Sequence, residues 1–158
     1  MENRRIEVMH PDGGQPLGWL IKDSVQNGLC FGGCRMTPTV TEDEVAELAQ
    51  AMSWKLGCHG MPVGGAKAGI RVDPKSREAP ELIGYFARGI AAELAHDTVI
   101  GKDMGATDEL LDRLYAQAGV QQLGIVGVPG VDRLRDLPGY VPHMTGRGVT
   151  FAISAGLG

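Results

Sequence analysis

The sequence has little of several features that mark particular protein classes. Its three cysteines among 158 residues are few and odd in number, which argues against a disulfide framework and favours a reducing compartment. Lysine and arginine form no run and the net charge is -4, so nucleic acid is not an expected partner. No stretch approaches the roughly 20 apolar residues of a membrane span, and the first residues lack the apolar core of a secretory signal. We therefore expect a cytoplasmic protein with no nucleic-acid or membrane partner.

What the chain does contain fits one globular domain. Its 43% hydrophobic and 22% charged residues are ordinary for a soluble domain, and a chain of this length can bury a real core. The 24 glycines lie between apolar segments and are not gathered in a linker. They indicate turns and places where the backbone approaches a ligand closely.

Local patterns predict strands that alternate with helices, which is typical of an α/β layered domain. Asn27-Gly28 predicts a hairpin between the second and third strands, and residues 61–69 form a glycine-rich stretch before a short strand. Strands are predicted at residues 4–9, 19–25, 29–36, 70–72, 98–100 and 123–131. Helices are predicted from Thr41, from near Pro80 with an apolar face that reaches Leu94, over residues 107–118, and from Gly148.

The helix that begins at Thr41 has the clearest local signals. Thr41 and Glu44 have the spacing of a capping box, in which each side chain bonds the free backbone N–H of the other residue. Apolar residues then follow helical spacing along one face, while Trp54 lies on the opposite face. We expect this helix to be covered on both faces.

The segment from Gly64 to Gly69 places Lys67 between small residues. It is neither a Walker A loop nor a G-x-G-x-x-G dinucleotide fingerprint. A ligand can closely approach such a lysine, which can then act as a base where burial or another positive charge favours its neutral form. A glycine turn with a solvated lysine is the commoner explanation of the local sequence.

Two other charged residues have both a functional and an ordinary explanation. Asp103 follows a predicted strand, and ligands of α/β sheets bind at strand ends, but a helix cap or turn also uses aspartate. Lys55 fits a helix lysine whose aliphatic stem lies along apolar surface.

The cysteines predict no metal site. Cys30 and Cys34 would be about 13 Å apart on a strand, so one zinc ion could not bind both without a tight turn. Cys58 and His59 do not complete a ligand set with the usual spacing. Buried free thiols are the simpler interpretation.

Five segments, taken in order, resemble the N-terminal domain of the Glu/Leu/Phe/Val dehydrogenase family. Each segment is weak alone, but their order and separations together are specific. Within the family, the segment Cys34-Arg35-Met36 looks more like the leucine and phenylalanine dehydrogenases. The segments are Gly32-Gly33-Cys34-Arg35-Met36, Met52-Ser53-Trp54-Lys55, Pro62-Val63-Gly64-Gly65-Ala66-Lys67-Ala68-Gly69, Asp103-Met104-Gly105 and Thr145-Gly146-Arg147-Gly148-Val149.

The resemblance implies a three-layer α/β domain over residues 1–144, with a mostly parallel or mixed sheet. This domain would bind an L-amino acid or 2-oxo acid and build a homo-oligomer. Residues 145–158 would lead towards a separate Rossmann domain that binds NAD or NADP for oxidative deamination. The sequence contains no G-x-G-x-x-G, so we expect this chain alone to bind no cofactor and not to turn over. The alternative is a stand-alone, non-catalytic module for amino-acid binding or oligomerisation.

The resemblance also implies roles for particular residues. Lys67 would be the catalytic lysine, which polarises the carbonyl and activates water against the imine, and Asp103 would carry protons to and from the substrate nitrogen. Lys55 would hold the α-carboxylate. Repulsion between two ammonium groups in one cleft favours the neutral form of the one that has no carboxylate partner. Further substrate-binding residues would be Gly32, Gly33 and Met52.

Phe31 predicts the substrate class. Glutamate-specific members of the family typically have a lysine immediately before the paired glycines, where it pairs with the substrate's side-chain carboxylate. An aromatic ring cannot neutralise that charge, so we expect an apolar amino acid as substrate.

Overall fold

The computed structural model describes residues 3–120. The strand predicted at 123–131, the helix from Gly148, the segment at 145–149 and the domain boundary at 144 lie outside these residues and remain predictions. The strands are β1 (Arg4–Met9), β2 (Pro16–Lys22), β3 (Cys30–Met36), β4 (Gly64–Ile70) and β5 (Thr98–Lys102). The helices are α1 (Glu42–Cys58), α2 (Ala79–Gly89), α3 (Ala91–His96) and α4 (Asp108–Ala118).

The five strands form one mixed sheet in the order β1-β2-β4-β3-β5. β3 is parallel to both of its neighbours, whereas β2 is antiparallel to both β1 and β4. Helix α1 packs on one face of the sheet, and α2 and α4 share a core with the other face. The predicted three-layer α/β domain with a mixed sheet is therefore confirmed.

Alternation along the strands assigns side chains to the two faces. Ala68 and Ile70 of β4 belong to the large core beneath α2 and α4, together with Leu20 and Cys34 of the adjoining strands. Trp19 and Ile21 of β2 instead pack with α1. Because Ile21 pairs with Lys67, the Lys67 side chain lies on the α1 face.

The predicted hairpin between the second and third strands is wrong. Asn27 and Gly28 do form a tight turn, with φ of 50° and 74° and a single bridge between Gln26 and Leu29. The strands on either side then diverge, because β4 inserts between β2 and β3. The turn was correctly indicated by local sequence, but the pairing was decided by a strand more than 30 residues later in the chain.

A strand was predicted only at residues 70–72, after the glycine-rich stretch, and these bounds are wrong. Gly64–Ile70 is a strand in the interior of the sheet, and all seven of its residues are buried. A side chain at Gly65 would lie 2.6 Å from the backbone oxygen of Ala49 in α1. The glycines therefore permit close helix-on-sheet packing.

The helix starts follow their capping residues. Thr41 accepts a hydrogen bond from the Glu44 backbone N–H at 3.2 Å, and Thr107 caps α4 through Leu110. One helix was predicted from near Pro80 with an apolar face that reaches Leu94, but Ile90 separates α2 from α3. Trp54 is 67% exposed, so the described residues do not cover the second face of α1. No helix within residues 3–120 is long and apolar enough to span a membrane.

Candidate active site

Lys67 lies in the buried middle of β4 and is only 5% exposed. This placement excludes a solvated lysine on a glycine turn. An ammonium group in such a position is costly unless a carboxylate compensates it.

Asp103 provides that carboxylate. Its Oδ2 lies 2.6 Å from Lys67 Nζ, a distance typical of a strong charge-assisted contact. Burial alone would raise the pKa of Asp103, but hydrogen bonding and the charge of Lys67 outweigh it, and the pKa falls below its ordinary value. The Met104 backbone and Arg35 act in the same direction. The Asp103 carboxyl group is therefore ionised at neutral pH and forms a buried ion pair with Lys67.

The turn after β5 fixes the position of Asp103. The backbone N–H of Ala106 donates to the Asp103 carbonyl at 3.0 Å, and Met36 donates to the Met104 carbonyl at 2.8 Å. Gly105 has a φ of 80°, and a side chain there would collide with the Met36 carbonyl. Since Thr107 caps α4, Asp103 is not the cap of that helix.

Because Gly33 has no side chain, it leaves room for the contact between Lys67 and Asp103. It pairs with Gly101 across β3 and β5. A Cβ at Gly33 would lie 3.0 Å from the Asp103 Cβ and 3.4 Å from Lys67 Nζ. Gly32, by contrast, contacts the neighbouring backbone, because a Cβ there would lie 1.8 Å from the Ala66 oxygen. Gly33 therefore makes room for the side chains of Lys67 and Asp103, whereas Gly32 allows the backbones of β3 and β4 to approach closely.

Arg35 belongs to the motif Gly32-Gly33-Cys34-Arg35-Met36, but the sequence indicated no role for it. Its Nε donates to Asp103 Oδ2 at 3.1 Å, and its Nη1 donates to Glu44 in the first turn of α1. Glu44 was expected to serve as half of a capping box. No local sequence signal links residues 35, 44 and 103. They come together only because β3 pairs with β5, which lies more than 60 residues later in the sequence.

The other predicted residues lie on α1 and β3. Lys55 is exposed in the last turn of α1, and among residues 3–120 no hydrogen bond or ion pair links it to Lys67 or Asp103. Lys67 is therefore held by a carboxylate in this structure and not left unpaired by repulsion from Lys55. Met52 is half-buried on α1, and Phe31 is half-buried on the same face of β3 as Gly33.

The cysteines do not form a metal centre in the described part of the chain. Cys30 and Cys34 are buried and Cys58 is exposed, and no group of three or more potential ligands occurs within residues 3–120. Burial raises the pKa of Cys34 to about 12, so its sulfur stays protonated at neutral pH.

A second buried charge cluster was missed by sequence reasoning. Lys22, 2% exposed, contacts the carboxylates of Glu93 and Asp97. Thr98 donates to Asp97 at 2.8 Å, and Arg4 contacts Glu93 at 2.7 Å. The two cations and two carboxylates neutralise one another. Because Lys22 belongs to β2 and Glu93 to α3, the cluster also joins these two elements.

The family model for the Glu/Leu/Phe/Val dehydrogenase dimerisation domain matches residues 4–117. The chain belongs to this family. Among curated relatives, the glutamate dehydrogenase of Thermotoga maritima is 45% identical over 82 residues, which is 52% of this chain and 18% of that protein. The glutamate dehydrogenase of Aeropyrum pernix is 33% identical over 110 residues, which is 68% of this chain and 26% of that protein. The chain therefore spans about a quarter or less of these relatives.

Solved structures of the Glu/Leu/Phe/Val dehydrogenase family have the same fold. The hetero-hexameric glutamate dehydrogenase of Thermus thermophilus in its leucine-bound form has a TM-score of 0.63 at 26% identity. The match covers 82% of this chain and 34% of that one. The L-tryptophan dehydrogenase of Nostoc punctiforme has a TM-score of 0.61 at 17% identity, covering 73% of this chain and 35% of that one, and it supports the fold alone.

The described residues of this family member do not fit a nicotinamide cofactor. The glycine-rich segment that might cradle a pyrophosphate is the interior strand β4, all of it buried. The sequence also contains no G-x-G-x-x-G.

Proposed function

We propose that this chain is the substrate-binding and proton-transfer part of an L-amino-acid dehydrogenase. The complete enzyme would use NAD or NADP to convert an L-amino acid to a 2-oxo acid and ammonia. The observation that carries the proposal is the buried contact of 2.6 Å between Lys67 and Asp103. A base and an acid held in contact between β4 and the turn after β5 are what stepwise deprotonation of a substrate amine requires.

The proposed roles follow from what each group can donate or accept. Lys67 donates to the developing carbonyl oxygen and, once neutral, takes a proton from the water that attacks the imine. Asp103 accepts a proton from the substrate nitrogen and returns it to the leaving ammonia. The exposed Lys55 ammonium binds the α-carboxylate. Gly32, Gly33 and Met52 complete the substrate site.

Replacing Lys67 in the complete protein tests the catalytic role. Lys67→Ala should abolish turnover while leaving the oligomer intact, measured by steady-state kinetics and light scattering. Lys102→Ala is the matched control, because Lys102 is close in the fold but pairs with Asp108 at 2.8 Å in an exposed position. Substantial activity in Lys67→Ala would refute the proposed role.

Phe31 supports an apolar amino acid as the substrate. Its ring approaches β5, about 3.8 Å from where a side chain at Gly101 would begin, and it carries no charge for a substrate carboxylate. The curated relatives cited above are glutamate dehydrogenases and give no support for an apolar substrate. This part of the proposal therefore depends on Phe31 alone.

Deamination rates with leucine, phenylalanine and glutamate test the substrate class. The unmodified enzyme should favour an apolar amino acid, and Phe31→Lys should increase kcat/KM for glutamate. Phe31→Leu keeps the site apolar and serves as the control. A clear preference of the unmodified enzyme for glutamate would refute the assignment.

Oligomerisation is the remaining part of the proposal. It is supported by the dimerisation-domain family and by the hexameric Thermus thermophilus neighbour. The exposed Trp54 and Met104 provide apolar area that the described residues do not cover. Multi-angle light scattering should give a mass above that of the monomer, and a purely monomeric chain would contradict this part.

A further inference from the structure

Asp103 receives two cations on the same oxygen. Lys67 Nζ lies 2.6 Å and Arg35 Nε lies 3.1 Å from its Oδ2. The two cations differ in chemistry, because a lysine can lose its proton near neutral pH whereas a guanidinium cannot. The proposed reaction therefore requires only one of them, Lys67, to change its charge.

Arg35 is held from its other side as well. Its Nη1 binds the carboxylate of Glu44, whose backbone N–H is bonded to Thr41 at the start of α1. The Arg35 side chain is 18% exposed and Glu44 is 39% exposed. A guanidinium that binds one carboxylate on each edge has a fixed orientation, which an ammonium group could not provide.

We propose that Arg35 is a positioning residue: anchored by Glu44, it holds the Asp103 carboxylate in place and charged while Lys67 turns from Asp103 to the substrate. The inference rests on the proposed function of this site. Without Arg35, departure of Lys67 would leave Asp103 without a fixed cation. With Arg35, the acceptor stays aligned with the substrate nitrogen throughout the reaction.

Within residues 3–120, the charged groups that act on Asp103 come from β3, β4 and α1. Lys67 reaches it from β4 and Arg35 from β3, and Glu44 of α1 acts through Arg35. Cys34 of β3 is a buried thiol, and Lys102 of β5 turns away to Asp108. Removing the Arg35 charge should therefore change the titration of Asp103 directly.

The test is the titration of Asp103 by carboxyl-carbon NMR in the 158-residue chain, with Asp103→Asn to assign the signal. Arg35→Gln should move the midpoint to higher pH, since one of its two cations is gone. Arg5→Gln is the matched control: it removes an arginine that also binds the first turn of α1, at Glu42, 2.8 Å away. This control should leave the midpoint unchanged.

A conservative variant separates charge from geometry. Arg35→Lys keeps the positive charge but loses the two-edged contact, so it should shift the midpoint upwards by less than Arg35→Gln. If Arg35→Gln does not fold, the comparison of Arg35→Lys with Arg5→Gln decides alone. A midpoint in either Arg35 variant equal to that of Arg5→Gln would overturn the proposal. Because this titration is read without turnover, its failure is distinct from failure of the proposed deamination.

Discussion

Gly33 lies against Asp103 so closely that the Cβ of any other residue would be 3.0 Å from the Asp103 Cβ. The same Cβ would lie 3.4 Å from Lys67 Nζ. The contact between Lys67 and Asp103 thus depends on the missing side chain of Gly33 on β3.

Gly33→Ala should therefore impair the site more than the fold. The added methyl would lie 3.0 Å from both the Asp103 Cβ and the Lys102 backbone oxygen, so Asp103 should shift slightly from Lys67. Turnover should fall, but by less than the roughly 100-fold loss that a misplacement of about 1 Å can cause. Gly101→Ala is the matched control on the paired strand, since its Cβ would meet only ordinary contacts at 3.7 and 3.8 Å. Steady-state kinetics of the complete enzyme would check this, and equal activity of the two variants would contradict it.

Gly65→Ala should destabilise the domain. Its Cβ would lie 2.2 Å from the Ser53 backbone nitrogen, so α1 would have to move away from β4. Such overpacking typically costs about 1–3 kcal/mol. Gly57→Ala, an open position within α1, should instead stabilise by roughly 0.5–1 kcal/mol. Urea denaturation measures both, and a Gly65→Ala protein as stable as the parent would rule out the close packing.

Lys22→Met should be among the most destabilising substitutions. It leaves the carboxylates of Glu93 and Asp97 buried without their main cation, a change that typically costs about 3–5 kcal/mol. Lys102→Met removes an exposed pair with Asp108 and should cost no more than about 1 kcal/mol. Adding Asp97→Asn to Lys22→Met should recover part of the loss. Similar unfolding free energies for the two lysine variants would count against a buried network.

Stability at high pH should also depend on Lys22. Burial alone would lower the pKa of Lys22, but hydrogen bonds to Asp97 and Glu93 and their charges outweigh it, and the pKa is raised. Its contribution is complete below the unfolded pKa of about 10.4 and is lost as pH rises through the folded pKa. Urea unfolding between neutral and strongly alkaline pH should show a smaller loss in Lys22→Met than in the parent.

Acid should weaken the domain through Asp103. Because the folded pKa of Asp103 is lowered, its contribution is complete above the unfolded pKa of about 3.9 and is lost as pH falls through the folded pKa. Asp103→Asn should therefore lose less stability than the parent between neutral pH and about pH 3. Asp112→Asn, which removes an exposed carboxylate of α4, should behave as the parent does. Parallel pH curves for Asp103→Asn and the parent would exclude this contribution.

The sequence was sufficient where the signals were local. Thr41 and Thr107 were correctly placed near helix starts, and five ordered motifs indicated the family that the comparison then showed. Glycine is normally a weak strand former, so the strand was predicted only at residues 70–72 and the glycine-rich part of β4 was missed. Its strand conformation comes from burial between β2, β3 and α1, which a local window does not contain.

The site was predictable in its members but not in its connections. Lys67 and Asp103 were identified through the resemblance, although each had an ordinary local explanation. The roles of Arg35 and Glu44 depend on the alignment of β3 with β5, which pairs Cys34 with Lys102 and so brings Asp103 beside Arg35. The Lys22 cluster depends on the packing of α3 near β2, which no motif indicates.

The position of β3 between β4 and β5 has a consequence for how the domain folds. Cys30 pairs with Gly64 on one side and with Thr98 on the other, so both pairings close long loops and cannot form early. Helix α1, capped by Thr41, can form before either of them. We expect the contact between Lys67 and Asp103, which joins β4 to the turn after β5, to form later than α1, and a spectroscopic probe at Asp103 would test this order during refolding.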